Sequence, residues 1–139
     1  MSDLASDLYL PILVLHSGWR WIVLVALAAA VAAALADRRA RSLGRVGVIV
    51  VDLQLTIGLL LYLWLSPVGM SALRVGAGNF ETLFFGLLHF LAMLLVVVLA
   101  HVAGIAVRRG ATRRGGFVFL SALAVALIAT PWWRPLIRI

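Results

Sequence analysis

The sequence predicts an all-α integral membrane protein: an up-down-up-down four-helix bundle with both termini on the outer, periplasmic side. Three observations predict it. The 139 residues are 65% hydrophobic and 12% charged, with a mean hydropathy of +1.15, more apolar surface than a soluble core of this length hides. Apolar runs at 8–36, 46–65, 82–107 and 116–133 each match the roughly 20 residues needed to cross hydrocarbon. The arginines also segregate between the two ends of these runs, as they do in membrane bundles.

The first run ends at the connection 37–45, which carries Arg38, Arg39, Arg41 and Arg45; the third ends at 108–115, with Arg108, Arg109, Arg113 and Arg114. These eight are expected on the cytoplasmic side, against Arg74, Arg134 and Arg138 on the other. The net charge of +7 comes from twelve arginines and no lysine. In this pattern it reads as a topology signal and not as a nucleic-acid patch. The second span closes on Trp64 and the fourth on Trp132 and Trp133, with Pro131 and Pro135 marking its outer end. Aromatic side chains belong at that headgroup level. Residues 66–81, with Pro67, Gly69, Gly76 and Gly78, read as turns or a short surface helix. Residues 1–7 lack a basic n-region, so the first span is expected to be retained, and the four spans occupy residues 1–139 as one domain. Short loops make consecutive helices antiparallel neighbours, with small residues such as Ala28, Ala30, Ala32 and Ala34 available for close packing. Cysteine is absent, which excludes disulfides, thiolate metal sites and covalent c-type haem attachment.

Ionisable groups inside spans cost about 2.5–3.5 kcal/mol each on insertion scales, so His16, Arg20, Asp52, His89 and His101, with Gln54, carry the functional information. At 1.5 Å per residue, His16 and His89 both fall roughly 9 Å to the outer side of their helix midpoints. Helices one and three run in the same direction and can face each other diagonally. Two imidazoles at one depth are what bis-histidine ligation of a b-type haem iron requires. The plainer reading of each is an interhelical hydrogen bond. Arg20, one turn from His16 and flanked by Trp19 and Trp21, suits a haem propionate or a charge partner for Asp52. Met93, one turn from His89, is an alternative axial ligand or a space-filling side chain.

Asp52, His101 and Gln54 form a second, inner polar layer, in which Asp52 needs Arg20 or His101 as partner. His101 lies about 120° around its helix from His89 and therefore looks toward a different neighbour. A proton relay through Arg20, Asp52 and His101 is the sharper alternative to an internal ion pair. Gln54 and Thr56 can also reach a quinone carbonyl, although polar residues in spans more commonly bond a neighbouring helix. No Gly-rich loop follows a strand and no triad is evident, which argues against a hydrolase or nucleotide enzyme.

The runs LHSGWRW at 15–21, DLQLTIGLLLY at 52–62, LLHFLAMLL at 87–95, AHVAG at 100–104 and the closing TPWWRP together resemble a family of small bacterial four-span membrane proteins, cytochrome b and cytochrome b-like. The resemblance covers nearly the whole chain and implies haem binding in the bacterial inner membrane, with His16, His89 and His101 at positions where the family shows histidine. Where the family often has histidine ahead of LQ in helix two, this chain has Asp52. The departure implies that an inner site would lack a ligand and that only the outer His16–His89 site would hold haem b. The expectation is an electron-transfer subunit that exchanges electrons with a redox partner or quinone, more an accessory subunit than a stand-alone enzyme. A haem-free structural or assembly subunit of a larger membrane complex, itself open to oligomerisation, is the alternative, and a proton- or ion-conducting bundle is a weaker one.

Overall fold

A computed structural model describes residues 3–66 and 78–134. Four long helices account for nearly all of them. Helix α1 spans Asp3–Leu35. Helix α2 covers Ala40–Leu65, α-helical to Leu60 and closing in a π-helical turn, Leu61–Leu65. Helix α3 covers Phe80–Arg108, with a π-helical turn at Phe84–Leu88, and α4 covers Thr112–Ile128. The first three are long and apolar enough to cross a membrane. At 1.5 Å per residue, the 17 residues of α4 reach only about 26 Å, slightly less than the hydrocarbon thickness.

The helices overrun the apolar runs at the arginine end. Expected connections at 37–45 and 108–115 shrink to 36–39 and 109–111, and Arg41, Arg45, Arg113 and Arg114 are helical. Arginine is a good helix former, so a change in polarity does not end the helix; the caps do. Helix α1 stops where Asp37 turns left-handed at φ 51°, with Arg38 N donating to the Ala33 carbonyl. Helix α3 stops in the same way at Gly110, φ 86°, with Ala111 N donating to Ala106 O. Both are Schellman closures, which satisfy terminal carbonyls in the fewest residues.

At the other end α1 begins earlier than residue 8. The fourth span differs more: its helix ends at Ile128, not at 133, because Pro131 disfavours helix in the residue before it and Thr130 turns its hydroxyl back onto the Ala126 carbonyl. Trp132 and Trp133 therefore follow the helix and do not close it. Helix α3 opens at Asn79, whose side chain accepts from Thr82 N at 2.8 Å, a standard N-cap. The turns expected over 66–81 fall mostly on 67–77, outside the described residues, as do Arg74, Pro135 and Arg138.

Packing forms a closed square. Helix α1 packs on α2 and α4, and α3 packs on α2 and α4, which leaves α1 and α3 diagonal as the sequence predicts. Leu27, Val96, Val107 and Phe119 fill the centre, with alanines between them. Close approach of α3 and α4 requires Gly115, where a Cβ would lie 2.5 Å from Val107 Cγ2. The core is densest toward the arginine end, and toward the far end the square opens into a cavity.

Candidate functional site: a histidine pair across the bundle

The cavity, about 340 Å³, runs from mid-bundle to the far end. His16 and Arg20 of α1, Gln54 and Gly58 of α2, and His89 and Met93 of α3 line it. The two imidazoles face each other across the diagonal, with centroids 6.3 Å apart and planes at 77°.

Each ring is held by its surroundings. His89 Nδ1 lies 2.9 Å from the Ala129 carbonyl; since a carbonyl only accepts, Nδ1 carries the hydrogen and a neutral ring keeps its lone pair on Nε2. That carbonyl is available because α4 has ended one residue earlier. Ala129 and Thr130 are themselves buried, so the irregular backbone here is covered by protein. His16 sits against α2, where Gln54 Nε2 donates to the His16 carbonyl at 3.1 Å and approaches its Nε2 at 3.4 Å. A Cβ at position 58 would stand 3.0 Å from His16 Cε1, so Gly58 makes room for the ring. His16 Nδ1 and Gln54 Oε1 are buried with no hydrogen-bond partner among the described residues. Buried polar atoms in this state are uncommon and call for an explanation.

Both π-helical turns lie at this end, and Tyr62 in the first donates its hydroxyl to the Gly86 carbonyl in the second at 2.7 Å. Tyr62 also stacks on Phe90, with centroids 4.8 Å apart and planes at 3°. The second π turn runs directly into His89. Such turns shift the facing of every later residue in a helix and recur at functional sites. At the mouth, Arg134 makes a two-point ion pair with Glu81, at 3.1 and 2.6 Å, and lies over the Phe85 ring.

The expected inner layer is rearranged. Asp52 pairs with His101 at 3.5 Å, but their side chains are 45% and 48% exposed; the pair stands on the outer surface of the α2–α3 seam and is not an internal ion pair. Gln54 does not belong to this layer and serves His16. Its helix neighbour Thr56 is exposed and bonds back to the Asp52 carbonyl, so the two do not converge on one ligand carbonyl. Arg20 lines the cavity and neither Asp52 nor His101 does. His101 looks to α2, while His89 looks across to α1 and α4, as their spacing predicts. Trp19 donates to the Val50 carbonyl at 3.1 Å, an interhelical contact.

Tyr62, Gly58 and the Glu81–Arg134 pair carry weight that the sequence reading did not give them. The last had a signal: opposite charges at the far ends of two adjacent spans. The π turns had none. No family model, curated protein or solved structure matches the chain.

An imidazole nitrogen binds a first-row metal at about 2 Å and stands about 1 Å from its ring centre, so one ion between two rings asks for roughly 6 Å between centroids. His89 has its Nε2 lone pair free beside the cavity, whereas the ring edge of His16 that carries both nitrogens lies toward Gln54 and Gly58 of α2. Among the described residues no cluster of three or more His, Asp or Glu could hold a metal ion.

Proposed function

We propose that this chain is a b-type cytochrome-like electron-transfer subunit of the bacterial inner membrane, with haem b held between His16 and His89. The observation that carries the reading is the pair itself: imidazoles from diagonal helices, 6.3 Å apart at a shared cavity. In the proposed topology all four helices cross. The buried segment after α4 completes the fourth crossing, which is permissible because irregular backbone at membrane depth must be covered by protein. The eight arginines in and beside the two short connections then lie in the cytoplasm and both termini in the periplasm. The resemblance to the cytochrome b-like family supports the same assignment.

Haem bound here would supply one-electron chemistry at its iron. The chain's own contribution is to hold it. The Ala129 carbonyl fixes the tautomer and orientation of His89, as partners of ligating histidines do, and Gly58 and Gln54 seat His16. Apolar neighbours such as Leu13, Val23, Leu24 and Phe90 exclude water, and Arg20 supplies a cation suited to a propionate.

A haem-free structural subunit is the second reading. The Asp52–His101 pair favours it, because ionisable groups within spans almost always face protein or water and not lipid, so this seam is where a neighbouring subunit would sit. A dithionite-reduced minus air-oxidised spectrum of the detergent-purified chain, with a pyridine haemochrome count, separates the two. A b-type signal near one haem per chain is expected. A colourless protein from haem-replete cells would leave the structural reading.

A further inference from the structure

A second cavity, about 240 Å³, opens at the arginine end between α2 and α3. Gly44, Gly104 and Val107 form its buried floor, and Arg41, Arg45 and Arg108 line it from exposed positions. The arginine and glycine spacings produce it. Arg41 and Arg45 are one turn apart on α2, and Arg108 follows Gly104 by one turn on α3, so all three line the pocket where the helix surfaces are barest. A Cβ on Gly104 would stand 3.4 Å from Arg108 Nη1 and 3.2 Å from Val48 Cγ2; the guanidinium lies over the glycine.

Among the described residues, the only ion pairs are Asp52–His101 and Glu81–Arg134, so none of these three arginines is neutralised by a carboxylate. Like charges gathered in one concavity repel, and the ligand that relieves them is an anion able to accept several hydrogen bonds at once. Phosphate oxygens match the planar guanidinium fork. Exposed apolar side chains flank the pocket, Val46 and Ile49 on α2 and Val102 and Ile105 on α3, with the Asp52–His101 pair further along the seam. A headgroup in the pocket would thus have a hydrocarbon-compatible surface beneath it. Basic pockets between membrane helices take anionic lipid headgroups for this reason.

We propose that the Arg41–Arg45–Arg108 pocket binds a phosphate group, either as the headgroup phosphodiester of an anionic phospholipid or as soluble phosphate. The purified full chain is titrated in mixed micelles with phosphatidylglycerol or phosphatidylcholine, and separately with sodium phosphate or sodium chloride at equal ionic strength. Thermal unfolding is followed by far-UV circular dichroism, and retained lipid by native mass spectrometry. A higher unfolding midpoint and retained lipid with phosphatidylglycerol alone assign the headgroup; a higher midpoint with phosphate over chloride assigns soluble phosphate. Arg45→Gln and Arg108→Gln should each weaken the apparent affinity about fivefold, while Arg113→Gln, which removes the same charge outside the pocket, should leave it unchanged. Should Arg108→Gln fail to fold, Arg41→Gln takes its place. No response to either anion, or an equal loss in Arg113→Gln, overturns the proposal.

Discussion

The hydroxyl of Tyr62 donates to the carbonyl oxygen of Gly86 over 2.7 Å, and both residues stand in π-helical turns. The bond joins α2 to α3 where each helix departs from regular winding, just before α3 delivers His89. Interhelical hydrogen bonds in bilayers average about 0.6 kcal/mol and reach about 1.7. Tyr62→Phe keeps the stacking on Phe90 and leaves the Gly86 carbonyl without this donor. It should lower stability by an amount in that range, measured by reversible unfolding in mixed micelles.

On the proposed haem assignment, His16→Ala and His89→Ala should each abolish the haem spectrum, since either would leave one axial position without its imidazole. Met93→Leu, one turn from His89 in the same cavity, should retain it. A retained spectrum in His89→Ala together with its loss in Met93→Leu would transfer the ligand role to the thioether.

Gly58→Ala tests the seat of His16. The new Cβ lies 3.0 Å from Cε1 of the ring, closer than packed carbon atoms sit, so the imidazole must move by a few tenths of an ångström. Haem content per chain should fall while far-UV helicity stays unchanged, because the backbone of α2 is regular there.

Gly115→Ala places a Cβ 2.5 Å from Val107 Cγ2 and 3.0 Å from the Ala103 carbonyl. The carbonyl cannot rotate away, so α3 and α4 must separate. Overpacking of this kind costs about 1–3 kcal/mol, visible as a lower unfolding midpoint, and the far-end cavity should be little affected.

Glu81→Gln should do much less. The Glu81–Arg134 pair is well formed but its side chains are 51% and 37% exposed, and exposed pairs contribute about 0.2–1 kcal/mol before screening. The loss should shrink further as salt is raised.

The sequence disclosed what hydrophobicity and charge encode. The antiparallel order of the helices, the common depth of His16 and His89 and their diagonal placement follow from run lengths, arginine positions and a fixed rise per residue. Helix ends were less legible, because Arg41 and Arg113 continue helices that polarity alone would stop, and Pro131 ends one that polarity would continue. The roles of Asp52 and Gln54 depended on rotation about α2, which a two-residue difference decides: Gln54 turns inward to His16 and Asp52 turns outward to His101. The partner of His89 was hidden because it is a backbone carbonyl, and such a group becomes available through where a helix ends and not through which residue stands there.

The square packing of the bundle has a thermodynamic corollary. Each helix is fastened to two neighbours, but α1 and α3 meet across the far end chiefly through the space between His16 and His89. A ligand bonded to both imidazoles would act as a cross-brace on one of the two diagonals of the square, and whatever binds only the folded state adds its binding free energy to the stability of that state. The ligand-free chain should therefore loosen first at the π-turn end, while the glycine- and alanine-lined arginine end stays closed. Hydrogen exchange would register that as a gradient along the helices, steep without the brace and flattened with it.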